Sequence, residues 1–149
     1  MRRIVPSSGD LLDANVWLAL AVEAHTHHQR ARTYWEHEAA PIAVFCRVTQ
    51  MAFLRLLTNP AVMGNQVLAP SVAWAKTSDF LRLPEVELFD EPLGVEDAWQ
   101  RFATAGRFSP NLWTDAYLAA FAARAGLRLV SFDKGFSRFE GLNLLTLEN

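Results

Sequence analysis

WTDAYLAAFAARAGLRLVSFD, residues 113–133, reads as a helix, a stop and a buried strand that ends in an acid. Asn111, just upstream, is a residue type that starts helices, so a helix is expected over Leu112–Ala125. Gly126 supplies its stop, because glycine takes the left-handed backbone there at no steric cost. Residues 127–132 form a short apolar run suited to a strand, and the run delivers Asp133 at its carboxyl end. Strands this apolar, joined by helices, argue for a parallel sheet covered on both faces.

The same alternation extends upstream. Residues 9–12 are a short apolar run ending in Asp13, followed by a helical pattern over 14–24. Residues 27–39 form an amphipathic helix, with Ala31, Tyr34, Trp35 and Glu38 at helical spacing, broken by Pro41. Residues 42–45 read as a second strand and 47–58 as a helix ended by Asn59-Pro60. A further helix over 70–83 starts at Pro70-Ser71 and stops before Pro84. Residues 86–89 are a third strand, 94–105 a helix stopped by Gly106, 108–111 a loop, and 142–147 a possible fifth strand. The expectation is one α/β domain over residues 1–149, with a mainly parallel central sheet of four or five strands flanked by helices. In such sheets ligands bind beyond the carboxyl ends of the strands.

Composition narrows the class of partner. The chain has 149 residues, 51% hydrophobic and 20% charged, as expected of an ordinary globular protein. Its longest apolar stretches, such as 16–22, are too short to cross a bilayer. The start, MRRIVPSSG, has two arginines but no apolar stretch before Pro6, so no export signal is read and a cytoplasmic location is expected. Cys46 is the only cysteine, so no intrachain disulfide forms, which suits a reducing compartment. The net charge of −2 shows no basic surface for duplex nucleic acid, and no DNA binding by this chain alone is expected. An RNA partner would need local positive charge, or a cation at the acidic site.

Three carboxylates stand out. Asp13 and Asp133 each follow a buried strand, where desolvation disfavours charge unless something compensates. A divalent cation relieves both the desolvation and the mutual repulsion, and hard oxygen donors suit Mg²⁺ or Mn²⁺. Asp115 lies in the first helical turn, where the helix dipole favours its ionised form. Its face continues with Leu118, Ala119 and Ala122, so it points at the core or a cleft. Gln50 heads an apolar stripe of Phe53, Leu54 and Leu57, which places its amide near the interior. The plain alternatives are turn or cap roles for Asp13 and Asp133, a helix-start charge for Asp115, and a backbone-bonded amide for Gln50. Spacing alone does not join these residues into one site.

The stretches LLDANVWLAL (11–20), RVTQMAFLRLLTNP (47–60), WTDAYLAAFAARAGLRLVSFD (113–133) and KGFSRF (134–139) together resemble a PIN domain of the VapC type, the toxin of bacterial toxin–antitoxin operons. The resemblance spans nearly the whole chain. It implies a PIN-like three-layer sandwich and a metal-dependent endoribonuclease that inhibits growth by cleaving RNA. It also implies an antitoxin that covers the active site, and a homodimer. Asp13, Asp115 and Asp133 match the family's acids and would hold Mg²⁺ or Mn²⁺. Asn15 matches a small polar position that supports the first acid. Where the family usually carries a Glu on the helix after the second strand, this chain has Thr49-Gln50, one negative charge fewer.

RNA contacts near the acids in sequence are Arg47, Lys134 and Arg138, with Asn111 and Trp113 on the loop before Asp115. Taken singly, these read as solvated surface residues, and Trp113 as core. Other features receive plain readings. His25, His27 and His28, with His37, form a surface cluster at a helix start. Cys46 is a small buried side chain. The acids between Glu85 and Asp97 are a solvated edge and helix start. Trp17, Trp74 and Trp99 are candidates for contacts with a second subunit or a partner helix. Two other functions are weighed against nuclease activity. An aspartate-nucleophile phosphatase would need a second Asp where Asn15 stands. A catalytically silent domain that binds RNA or protein is the remaining alternative, kept open by Gln50.

Overall fold

The structure, a computed structural model, describes residues 9–148. The amino-terminal segment read above for an export signal lies outside them, apart from Gly9. Five parallel strands form one sheet: β1 (Gly9–Leu12), β2 (Ile42–Phe45), β3 (Val86–Leu88), β4 (Arg128–Ser131) and β5 (Leu144–Thr146). Their order is β3-β2-β1-β4-β5, so β1 is central and the chain winds outward from it in both directions. The helices are α1 (Ala14–Ala21), α2 (His28–His37), α3 (Arg47–Leu57), α4 (Pro60–Met63), α5 (Pro70–Leu81), α6 (Val95–Thr104) and α7 (Leu112–Ala125). None of the described helices is long and apolar enough to cross a membrane.

Strand alternation sorts the core into two layers. Leu11, Val44 and Leu129 face α6 and α7, where Ala116, Ala119 and Phe121 are buried. Leu12, Phe45 and Val130 face the opposite layer with Trp17, Phe53 and Tyr34. Trp17 stacks on Phe45 with ring centroids 3.9 Å apart, an arrangement that adds to simple area burial. Trp17 is therefore core rather than a partner contact: it is fully buried. Trp74 is exposed, as a partner contact would require.

Several boundaries differ from the sequence reading. The first helix stops at Ala21, three residues early. There the His25 Nδ1 accepts from the His27 backbone N–H at 3.0 Å, a local bond that competes with continuing the helix. His37 is exposed, but His25, His27 and His28 are half-buried rather than surface: the His27 ring stacks on Phe132, and His28 Nδ1 meets the Ala19 carbonyl oxygen at 2.7 Å. Asn59-Pro60 ends α3 and also starts α4, since the Asn59 side chain accepts from Ala61 N–H and proline fits a first helical turn. Asn111 sits at the N-cap position of α7, but its side chain makes no capping bond. Gly126 ends α7 at φ +69, as its residue type requires. Cys46 is buried.

Asp10 lies inside the run that reads as apolar, and it is completely buried. Tyr34 donates its hydroxyl hydrogen to Asp10 Oδ2 at 2.5 Å, and the Ala40 backbone N–H donates to the same oxygen at 3.0 Å. Arg128, on neighbouring β4, forks onto both carboxylate oxygens at 2.8 Å each. The remaining reach of that guanidinium goes to the Glu38 carbonyl oxygen at 2.9 Å. This bidentate geometry is what makes a buried ion pair tolerable. The pair ties β1 to β4 and to the end of α2, at the sheet's amino edge.

Candidate active site

The opposite, carboxyl edge of the same two strands carries a second set of acids. Asp13 directly follows β1 and caps α1, its Oδ1 accepting from Ala14 N–H at 2.8 Å. Its other oxygen accepts from the Ser131 hydroxyl at 2.8 Å. Ser131 in turn accepts from the Asp133 backbone N–H at 2.9 Å and from Asn15 Nδ2 at 3.3 Å. One hydroxyl thus spends its hydrogen on Asp13 and its lone pairs on two other site residues. Asn15 completes the loop, with Oδ1 accepting from Phe132 N–H at 3.3 Å. Asn15 thus bonds to the serine that bonds to Asp13.

Asp133 starts a 3₁₀ turn, Lys134–Arg138, its Oδ1 accepting from Gly135 N–H at 2.8 Å. Asp115 stands in the first turn of α7, half-buried, and Arg138 Nη2 reaches it at 3.3 Å. Burial, and then the charges of Asp13 and Asp133, push its pKa up to about 6. Arg138 offsets this only in part. Burial also raises the pKa of Asp13; the Ser131 and Ala14 bonds oppose that rise, and Asp133 adds to it. Three acids from distant segments are therefore within electrostatic reach of one another, and they lack enough positive charge.

The donor set suits a divalent cation in type: carboxylate oxygens are hard ligands, and the unbalanced charge is negative. Among the described residues no three His, Cys, Asp or Glu side chains are close enough together to hold an ion by themselves. The three acids are therefore not gathered into a closed ion cage in this structure.

The other candidates divide. Gln50 is buried, and its Oε1 accepts from Arg47 Nη1 at 2.6 Å. Thr49 caps the start of α3: its hydroxyl accepts from the Cys46 backbone N–H at 3.0 Å. No hydrogen bond joins Thr49 or Gln50 to the three acids among the described residues. Arg138 lies at the trio, whereas Lys134 is exposed and 3.5 Å from Glu148. Asn111 is exposed, and its backbone carbonyl accepts from Asp115 N–H. Trp113 is 57% exposed and packs edge-on against Trp99, so the core reading of Trp113 is corrected. Sequence reasoning missed Ser131, whose signal was a hydroxyl in an apolar strand, two residues before Asp133.

A parallel α/β sheet with an acidic cluster at its carboxyl edge defines the class, and comparison with known proteins identifies it. The PIN domain family profile matches residues 11–142, and the chain belongs to that family, among the VapC ribonucleases. It is 42% identical to the ribonuclease VapC41 of Mycobacterium tuberculosis over 142 residues, covering 92% of this chain and 97% of that one. The fold is shared with the crystal structure of M. tuberculosis VapC20, a sarcin-ricin loop cleaving toxin, at a TM-score of 0.64 and 19% identity. That match covers 89% of this chain and 95% of the other. VapBC2 from Rickettsia felis, solved bound to a DNA fragment from its promoter, matches with a TM-score of 0.63 and 14% identity, covering 94% of this chain and 99% of the matched one. PIN ribonucleases are typically metal-dependent.

Proposed function

We propose that Asp13, Asp115 and Asp133 together hold Mg²⁺ or Mn²⁺ and that the chain hydrolyses a phosphodiester bond of RNA at that point, as an endoribonuclease toxin. The observation that carries this reading is the convergence of the trio in a chain of the PIN family: Asp13 and Asp133 follow the adjacent strands β1 and β4, and Asp115 opens α7 close enough for their charges to raise its pKa. When bound, the metal would acidify a water and offset charge building on the phosphate. The protein's own contribution is positional. Asp13 is fixed by Ser131 and by the start of α1. Asp133 is fixed by Gly135. One of the three carboxylates would take a proton from the attacking water. Arg138 supplies a positive group where a phosphate would approach. The same reading extends to an antitoxin partner, a homodimer and a cytoplasmic location.

The test is cleavage of total cellular RNA by the full chain in Mg²⁺ or Mn²⁺. Asp13→Asn and Asp133→Asn should each lower the rate by ~100-fold or more, and excess EDTA should abolish it. Retained cleavage in any of these conditions overturns the metal mechanism. Binding of RNA that survives EDTA, with no shortening in any metal, would instead mark a silent binding module.

A further inference from the structure

A groove of about 730 Å³ opens beside the acids, between the last turn of α6, the loop 105–111 and the end of the 3₁₀ turn. Its walls carry Arg101, Arg107 and Arg138 against one acid, Glu140. In a chain of net charge −2 this is a local concentration of positive charge. Among the described residues Arg101 and Arg107 form no ion pair, so their guanidinium groups are uncommitted. The aromatic content is equally specific. Phe102 packs edge-on against Phe139 at 5.5 Å, inside the wall. Phe108 is 76% exposed at the groove's rim, with its ring face open to solvent.

Arg138 joins this groove to the acids. Its guanidinium lies over the Phe139 ring at 4.8 Å, donates to Ser109 Oγ at 3.0 Å and reaches Asp115 Oδ2 at 3.3 Å. A chain of phosphates lying on Arg107 and Arg101 would therefore pass Arg138 as it enters the acidic cluster.

We propose that this groove binds the single-stranded stretch of RNA beside the cleaved bond, with Arg101 and Arg107 on phosphates and one unpaired base stacked on Phe108. The inference rests on the ribonuclease reading and extends it by naming where the substrate lies. Guanidinium groups suit phosphates, and an exposed ring accepts any base with a free π-face. A duplex keeps its bases stacked within itself and offers none to Phe108.

The experiment is fluorescence anisotropy of an eight-nucleotide, mixed-sequence, labelled single-stranded RNA with the full chain in EDTA. Arg107→Ala and Phe108→Ala should each weaken binding by about fivefold or more. Arg107→Ala should also lower the slope of log affinity against log salt by ~0.7, as loss of one phosphate contact predicts, while Phe108→Ala leaves the slope unchanged. Phe108→Trp should restore binding to within about twofold. The same RNA annealed to its complement should bind more weakly. Affinity unchanged in both alanine variants, failure of Phe108→Trp to rescue, or no binding by the unsubstituted chain overturns the proposal. Cleavage of total RNA by the unsubstituted chain is measured separately. Cleavage with groove-independent binding sinks only the groove, whereas groove-dependent binding without cleavage sinks only the nuclease reading.

Discussion

Two acids three residues apart, Asp10 within β1 and the half-buried Asp13 just beyond its end, meet opposite treatment. Asp10 receives a tyrosine hydroxyl, a backbone N–H and both arms of Arg128. Asp13 receives one hydroxyl and one backbone N–H, and faces two more acids. The difference is charge balance. At the amino edge of the sheet a full positive partner makes the acid part of the scaffold. At the carboxyl edge the positive partner is withheld, and the acid is left suited to something that arrives from solution. Burial alone does not mark a functional carboxylate; burial without compensation does.

That contrast breaks first at Asp10. Asp10→Leu strands the Arg128 guanidinium and the Tyr34 hydroxyl, and should cost about 3 kcal/mol or more in urea denaturation. Adding Arg128→Met should recover part of that loss, because the apolar pair needs no counter-charge. A cost under about 1 kcal/mol for Asp10→Leu would show that the amino-edge pair is not structural. Ser131→Ala probes the opposite edge. It frees Asp13 from the one side-chain hydrogen bond it accepts among the described residues and should weaken Mn²⁺ affinity about tenfold, read as the metal concentration that raises the melting temperature.

The smallest effect sharpens the comparison through pH. Asp115 has its folded pKa raised, so its contribution to metal-free stability is fully present below the ordinary carboxylate range. That contribution is lost as pH rises through about 6. Asp115→Asn should therefore raise the metal-free stability at pH 7 by on the order of 1 kcal/mol, and the gain should vanish towards pH 4. Melts in EDTA across that range measure it. A variant less stable than the parent at neutral pH would show that Arg138 outweighs the neighbouring acids.

Much of this arrangement is legible in the chain. The strands announce themselves as short apolar runs, and α7 with its Gly126 stop matches its expected bounds. Asp13 and Asp133 are visible because they end such runs, and Asp115 because its helical face is otherwise apolar. Asp10 was hidden for the converse reason: in a four-residue strand one polar letter looks like noise, and its partner Arg128 lies 118 residues away. Ser131 was hidden because a hydroxyl's role depends on what it faces across the sheet. Trp17 and Trp113 exchanged places with expectation, since a tryptophan's burial is set by its layer and not by its composition. The groove was beyond reach for the same reason, being made where two ends of the fold meet.

The winding of the sheet has a consequence for synthesis. The central strand is made first, but one of its two neighbours, β4, begins only at residue 128. The acids stand at 13, 115 and 133, so no translation product shorter than 133 residues carries them all. Pairings this distant also close slowly. The proposed metal site is thus incomplete in a nascent chain until residue 133 has been added.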